Sequence, residues 1–201
     1  RPALSKLRED AGGAGKPLIA LLAGSREQEV KRCLPEMVRA ARAFPEYRFV
    51  IAGVSSLNEN IYRESIGNAD IKLIFDKTYD ILSVARAAVV TSGTATLETA
   101  LFNVPQVVVY KTSPFNYHVG KLIVKVRFFS LVNLISGKET VKELLQFNLS
   151  QEISREMDRI LHDQKYREEM LASYRSIKEQ LGSHGTSERI AARITEMNKI
   201  I

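Results

Sequence analysis

Residues Thr91–Lys111 read TSGTATLETALFNVPQVVVYK. The run before them, Ala87-Ala88-Val89-Val90, has the apolar continuity of a strand buried on both faces. Small hydroxyl residues then lead into a helix-like segment, Thr94 to Phe102, and a second apolar run follows from Gln106 to Tyr110. Strand, turn, helix and strand in this order predict a parallel pair joined by a crossover helix. At the turn, Ser92-Gly93-Thr94-Ala95-Thr96 puts a glycine at the strand end, sparing the backbone a Cβ clash, with hydroxyls beside the unpaired N–H groups of the helix start. Together with the partial positive charge of that helix end, the arrangement suits a phosphate; an ordinary turn capped by Ser92 or Thr94 is the competing reading. Glu98, one turn into the helix, is placed to accept hydrogen bonds from a ribose diol, or is a solvated helix-start glutamate.

The same alternation extends upstream. Pro17 to Leu22 reads as a short buried strand, Ala23-Gly24-Ser25 as a turn, and Arg26 to Phe44 as a helix with Val30, Leu34, Val38 and Ala41 on one face and a kink or restart at Pro35. Tyr47–Ala52 and Ile71–Ile74 follow as strands, Leu57–Ile66 and Tyr79–Ala85 as helices. Continuous apolar strands spaced by amphipathic helices predict an α/β fold, a Rossmann-like doubly wound parallel sheet. Ligands of such sheets bind outside the carboxyl ends of the strands, where Gly24-Ser25-Arg26 and Ser92-Gly93-Thr94 fall. Arg26 offers a planar fork for phosphate oxygens; alternatively it pairs with Glu29 or Glu27 on the helix surface.

After Pro114 the pattern changes to HVGKLIVKVRFFSLVNLI, a turn at Ser136-Gly137, VKELLQ, and a polar helical tail from about Ser150. The tail breaks at LGSHGTS, where Gly182 and Gly185 end one helix and Thr186 or Ser187 caps the next. The expected organisation is a polar lead at 1–16, a Rossmann-like unit at 17–149 and C-terminal helices at 150–201. Lys121, Lys125 and Arg127 among Leu122, Ile123, Val126, Phe128 and Phe129 suit an anionic membrane surface, or else form the solvated edge of a core segment.

Composition narrows the function. The 201 residues are 45% apolar and 26% charged, an ordinary globular balance. Lys plus Arg exceed Asp plus Glu by 29 to 23, a net charge of +6 that favours an anionic partner without the basic runs that would select nucleic acid. The single cysteine, Cys33, excludes a disulfide framework or thiolate metal site within one chain and points to a reducing compartment. No apolar run approaches the roughly 20 residues of a membrane span, so a cytoplasmic location is expected. His118, His162 and His184 are scattered, without metal-ligand spacing. G-x-G-x-x-G, G-x-x-x-x-G-K-[ST] and G-x-S-x-G are all missing, which leaves a nicotinamide cofactor, NTPase or hydrolase chemistry without support.

Taken together, LLAGSREQEV (Leu21–Val30), TSGTATLETALFNVPQVVVYK, SPFNYH (Ser113–His118), SLVNLISGKE (Ser130–Glu139) and VKELLQ (Val141–Gln146) resemble the lipid-A-disaccharide synthases, glycosyltransferases of the two-domain GT-B type. The segments occur in family order, with alanine at Ala23 and valine at Val132 where the family usually has proline. The resemblance implies the C-terminal, nucleotide-sugar-binding half of a GT-B fold with extra C-terminal helices, and an N-terminal half that holds the acceptor site and general base as its partner. It implies transfer of 2,3-diacylglucosamine from UDP-2,3-diacylglucosamine to 2,3-diacylglucosamine 1-phosphate, with inversion, giving a β-1,6 disaccharide and UDP without a cofactor. Gly24, Ser25, Arg26 and the turn Ser92, Gly93, Thr94, Ala95 and Thr96 would then hold the diphosphate and Glu98 the ribose, while Asn133, Glu143 and Gln146 would line the rest of the donor site. Without the resemblance, Asn133 reads as a loop or strand-end asparagine bonded to backbone. The acylated substrates imply peripheral attachment at the inner face of the inner membrane; a homodimer is left open. The alternatives are another GT-B glycosyltransferase, a UDP-N-acetylglucosamine epimerase and a non-catalytic nucleotide-sugar-binding module.

Overall fold

The structure, a computed structural model, describes residues 15–111 and 127–182. Six strands form one sheet: β1 (Leu18–Leu22), β2 (Arg48–Gly53), β3 (Lys72–Phe75), β4 (Ala85–Thr91), β5 (Gln106–Tyr110) and β6 (Glu143–Leu145). Every pairing is parallel and the spatial order is β3-β2-β1-β4-β5-β6. The chain winds outward from β1 in one direction and then returns to continue from β4 in the other. The order therefore reverses between β1 and β4, where the crossovers on either side diverge and leave a crevice at the strands' carboxyl ends.

Alternate residues of the central strands supply the two faces of the core. Ile19, Leu21, Ala87 and Val89 pack with Val30, Cys33, Leu34 and Met37 of α1 (Glu27–Ala41), while Ala20, Leu22, Ala88 and Val90 meet Ile81 and Leu82 of α3 (Thr78–Leu82). Burial on both sides explains why these strands read as unbroken apolar runs. The face expected on the first helix is the buried one. Pro35 neither restarts nor ends α1, which runs through it; burial of Val30, Cys33, Leu34, Met37 and Val38 outweighs one lost backbone bond, about 3 kcal/mol. The helix expected from Leu57 is α2 (Glu59–Ile66), which begins after Asn58, whose Oδ1 accepts from Asn60 N–H at 2.9 Å. That expected over Tyr79–Ala85 stops at Leu82, and Ala85 already belongs to β4.

The sequence after β5 returns to the same body. VKELLQ supplies β6, paired with β5 from Glu143 to Leu145, and SLVNLIS forms α5 (Leu131–Ser136) with Ser130 as its cap. Of the tail, α6 (Leu149–His162) packs on α1 and β5, and α7 (Gln164–Leu181) on α5 and on α4 (Thr94–Leu101). Ile153, Met157, Ile160, Met170, Tyr174 and Ile177 join the main core cluster. Gly182, at φ +82°, ends α7. Gln106 joins β5, α4 and α7: its Nε2 donates to Thr96 O at 2.8 Å and to Tyr174 Oη at 3.3 Å, all in the interior. SPFNYH, Lys121, Lys125, His118 and His184 lie outside the described residues, and so does the helix cap expected at Thr186 or Ser187. Among the described residues, no helix is long and apolar enough to cross a membrane.

Candidate nucleotide-sugar site

A cleft of about 400 Å³ opens where β1 and β4 end. Its walls include Gly24, Ser25 and Arg26 from the first turn, Ser92, Gly93, Thr94 and Ala95 from the second, and Glu98 from α4. Two segments nearly 70 residues apart in sequence thus meet because β1 and β4 are adjacent and in register, with Leu22 opposite Val90. A depression of about 720 Å³ at the amino ends of β2 and β3 is wider, and Lys16, Arg42, Arg48 and Lys72 line it. There, however, α1 and α2 present their carboxyl-terminal ends, and Lys16 Nζ donates to Pro45 O, in the loop after α1, at 2.6 Å.

The two glycines of the cleft do different things. Gly24 has φ +104°, and a Cβ there would lie 2.9 Å from Glu29 Cβ, so both conformation and close approach demand glycine. Gly93, the N-cap of α4, is extended at φ 160°, and nothing lies within 4 Å of a Cβ built on it. The turn does not require a glycine, contrary to the expectation from sequence; its effect is to leave the space in front of the backbone open. Neither Ser92 nor Thr94 caps α4, which has no side-chain cap. Ser92 Oγ donates to Phe129 O at 3.0 Å, and Thr96, fully buried, donates from Oγ1 to Gly93 O at 2.7 Å, so Thr96 shapes the turn from beneath.

Arg26 has the surface pairing that competed with phosphate binding: Nη1 lies 3.1 Å from Glu29 Oε1, and its backbone N–H donates to Glu29 Oε2 at 3.4 Å. Glu27 pairs instead with Lys31. The Arg26 side chain is 82% exposed, so this bond is cheap to exchange for an anion. The N-terminal ends of α1 and α4 open on the same cleft and add two sets of backbone N–H donors to the Arg26 guanidinium.

Three expected residues lie elsewhere. Asn133 is fully buried on α5: Oδ1 accepts from the N–H groups of Thr140 (2.7 Å) and Val141 (2.9 Å), and Nδ2 donates to Val141 O (2.9 Å) and Glu143 Oε1 (2.8 Å). It is bonded to backbone, as the local reading had it, though from a helix. Glu143 opens β6 and receives four donors from the loop before and along α5. Gln146 follows β6 at φ +63° and is buried. None of the three lines the cleft in this structure. Val54, directly after β2, and Thr78, which opens α3 beyond β3, do line it and were not singled out by sequence, although both lie at the carboxyl side of the sheet that the same rule covers.

Convergent strand-end turns at a reversal of strand order define a doubly wound α/β unit with a crevice at its switch point. Within that class, the chain belongs to the lipid-A-disaccharide synthetase family, whose model matches residues 8–195. Relatives named lipid-A-disaccharide synthase include those of Geobacter sulfurreducens, 34% identical over 190 residues (91% of this chain, 50% of the relative), and Syntrophus aciditrophicus, 38% over 193 residues (92% and 49%). The chain thus spans about half the length of the curated relatives it matches. Among solved structures, the UDP-GlcNAc 2-epimerase of Neisseria meningitidis bound to UDP-GlcNAc superposes with a TM-score of 0.59 at 16% identity, covering 97% of this chain and 48% of that one. WaaG, a glycosyltransferase involved in lipopolysaccharide biosynthesis, gives 0.58 at 11% identity, covering 97% and 52%. At such identities these two establish the shared fold alone.

Proposed function

We propose that this chain is the donor-binding half of an inverting glycosyltransferase that moves 2,3-diacylglucosamine from its UDP donor to 2,3-diacylglucosamine 1-phosphate, forming a β-1,6 disaccharide and UDP. The observation that carries the reading is the meeting of the Gly24–Arg26 and Ser92–Ala95 turns, with Glu98, in one cleft at the β1/β4 switch point. In such a transfer the acceptor hydroxyl oxygen bonds to the anomeric carbon as the bond to the UDP oxygen breaks, and negative charge grows on the departing diphosphate. Arg26 and the N–H groups opening α1 and α4 would stabilise that charge with donors already in place. Glu98 would accept from the ribose hydroxyls. The general base and most of the acceptor site would come from the N-terminal half of the full-length protein, and the acyl chains of both substrates would keep the assembled enzyme at an anionic membrane surface.

Calorimetric titration with UDP tests the reading. Binding by the wild-type chain, weakened by both Arg26→Ala and Glu98→Gln, is the expected result; a folded wild-type chain that binds no UDP, alone or mixed with the N-terminal half, would overturn it.

A further inference from the structure

Glu143 opens β6 outside the cleft, and its carboxylate is engaged by Phe129 and Ser130 and by the first turn of α5 that follows them. Oε2 accepts from Phe129 N–H at 2.8 Å; Oε1 accepts from Ser130 N–H at 2.9 Å, Ser130 Oγ at 2.7 Å and Asn133 Nδ2 at 2.8 Å. Three of the four donors converge on Oε1 and one on Oε2, so the carboxylate is committed chiefly to Ser130 and Asn133. Ser130 Oγ in turn accepts from Asn133 N–H at 3.3 Å, so α5 is locked to the same point. The loop gripped in this way makes its next contact in the cleft, where Phe129 O accepts from Ser92 Oγ at 3.0 Å. The Phe129 ring stacks on Tyr110 at a centroid distance of 6.3 Å and an interplanar angle of 6°, and Tyr110 pairs with Leu145 in the same strand as Glu143.

Resting on the donor-site reading above, we propose that Glu143 is a positioning residue of the cleft: it fixes the Phe129 carbonyl that orients Ser92, and thereby the Ser92–Ala95 turn, without touching the ligand. Among the described residues, the hydrogen-bonded route from the carboxylate to the site runs through the Phe129 and Ser130 backbone to the Ser92 hydroxyl. A negative charge is well suited to the task, because hydrogen bonds to an ionised acceptor are shorter and stronger than neutral ones. Asn133 supports the same point from behind, its amide being fully committed to Thr140, Val141 and Glu143.

Two measurements on the chain test this. Glu143→Gln keeps one oxygen for Ser130 and Asn133 but withdraws the acceptor from one side; backbone amide spectra of the ligand-free variant should shift at Ser92, Gly93 and Thr94 as well as at Phe129 and Ser130. Shifts confined to Phe129–Leu145 would overturn the proposal. UDP titrations of Ser92→Ala, Glu143→Gln and the double variant should show each single change weakening binding about three- to tenfold and the double variant no weaker than the worse single, because both interrupt one path. Losses that multiply would mean that Glu143 meets the ligand independently, which also overturns it. If the wild-type chain binds no UDP while the cleft amides still shift, the donor-site reading falls and the positioning of the turn stands.

Discussion

Arg26 Nη1 lies 3.1 Å from Glu29 Oε1, so the one arginine among the described residues of the cleft is held by a carboxylate in the first turn of the helix it caps. An arriving diphosphate would exchange with Glu29 for a guanidinium that is already extended and exposed. Removing the guanidinium by Arg26→Ala should weaken UDP binding by about ten- to a hundredfold, the range for loss of charge-assisted bonds. Glu29→Gln removes both the competitor and a repulsive charge, and should tighten binding by about two- to fivefold, as befits an exposed pair. Calorimetry of the two variants beside wild type checks both signs; tighter binding by Arg26→Ala would contradict the assigned role.

The glycines separate folding from binding. Gly24→Ala forces a Cβ against Glu29 at φ +104° and should cost about 1–3 kcal/mol of stability. Gly93→Ala meets no atom within 4 Å on an extended backbone, and should leave stability within about 0.5 kcal/mol. Its methyl would instead occupy the open face of the turn and weaken UDP binding. Denaturant unfolding paired with titration distinguishes the two effects.

Lys111 Nζ is 2.6 Å from Glu36 Oε1, which ties the end of β5 to the middle of α1. Burial opposes ionisation of Glu36, yet its bond to Lys111, the charge of Lys111 and that of Arg39 together hold the carboxyl below its ordinary value of 4.5. A carboxyl with a lowered folded value contributes stability above the unfolded value and loses it as pH falls through the folded one. Glu36→Gln should therefore lower Tm by about 2–4 °C at pH 7, corresponding to roughly 1 kcal/mol, and the difference should vanish on acidification below the normal carboxylate range. Thermal melts of both proteins from pH 7 to pH 3 check the trend.

Glu156 behaves in the opposite sense. It is buried between α6 and α7, where burial pushes its carboxyl up despite the hydrogen bond from Tyr166 Oη and the nearby charges of Arg159 and Lys142. A raised folded value means that the neutral carboxyl contributes stability below about 4.5, the unfolded value, which is lost as pH rises through the folded value. Glu156→Gln, which retains an acceptor for Tyr166, should gain stability relative to wild type between pH 4 and pH 8. Melts at those two pH values decide the matter; a gain that shrinks with rising pH would contradict it.

Five of the six strands are legible in the sequence because each carries a run of at least three apolar residues, from Leu18–Leu22 in β1 to Val107–Val109 in β5. β6 is not, since three residues, Glu143–Leu145, are too few to show a period. The juxtaposition of Gly24–Arg26 with Ser92–Glu98 is legible because the doubly wound topology brings successive strand ends to one edge. The placement of Asn133 and Glu143 is not. Their backbone partners, Phe129 and Ser130 before α5 and Thr140 and Val141 after it, lie in segments whose position depends on β6 pairing with β5, a long-range event with no local signature. Gly93 is legible as a glycine of the turn but not for its cause, since its backbone angles carry no strain.

Gln106 gives the C-terminal helices a bearing on the cleft. Its amide reaches the Thr96 carbonyl in the first turn of α4 and the Tyr174 hydroxyl on α7, although neither Gln106 nor Tyr174 lines the cleft. A fragment ending at Asp163 would therefore retain every cleft-lining side chain and yet lose the Tyr174 buttress beneath the helix that carries Glu98. The shortest piece of this chain able to present a firm binding surface is set by that distant tyrosine, and not by the last residue that a ligand could touch.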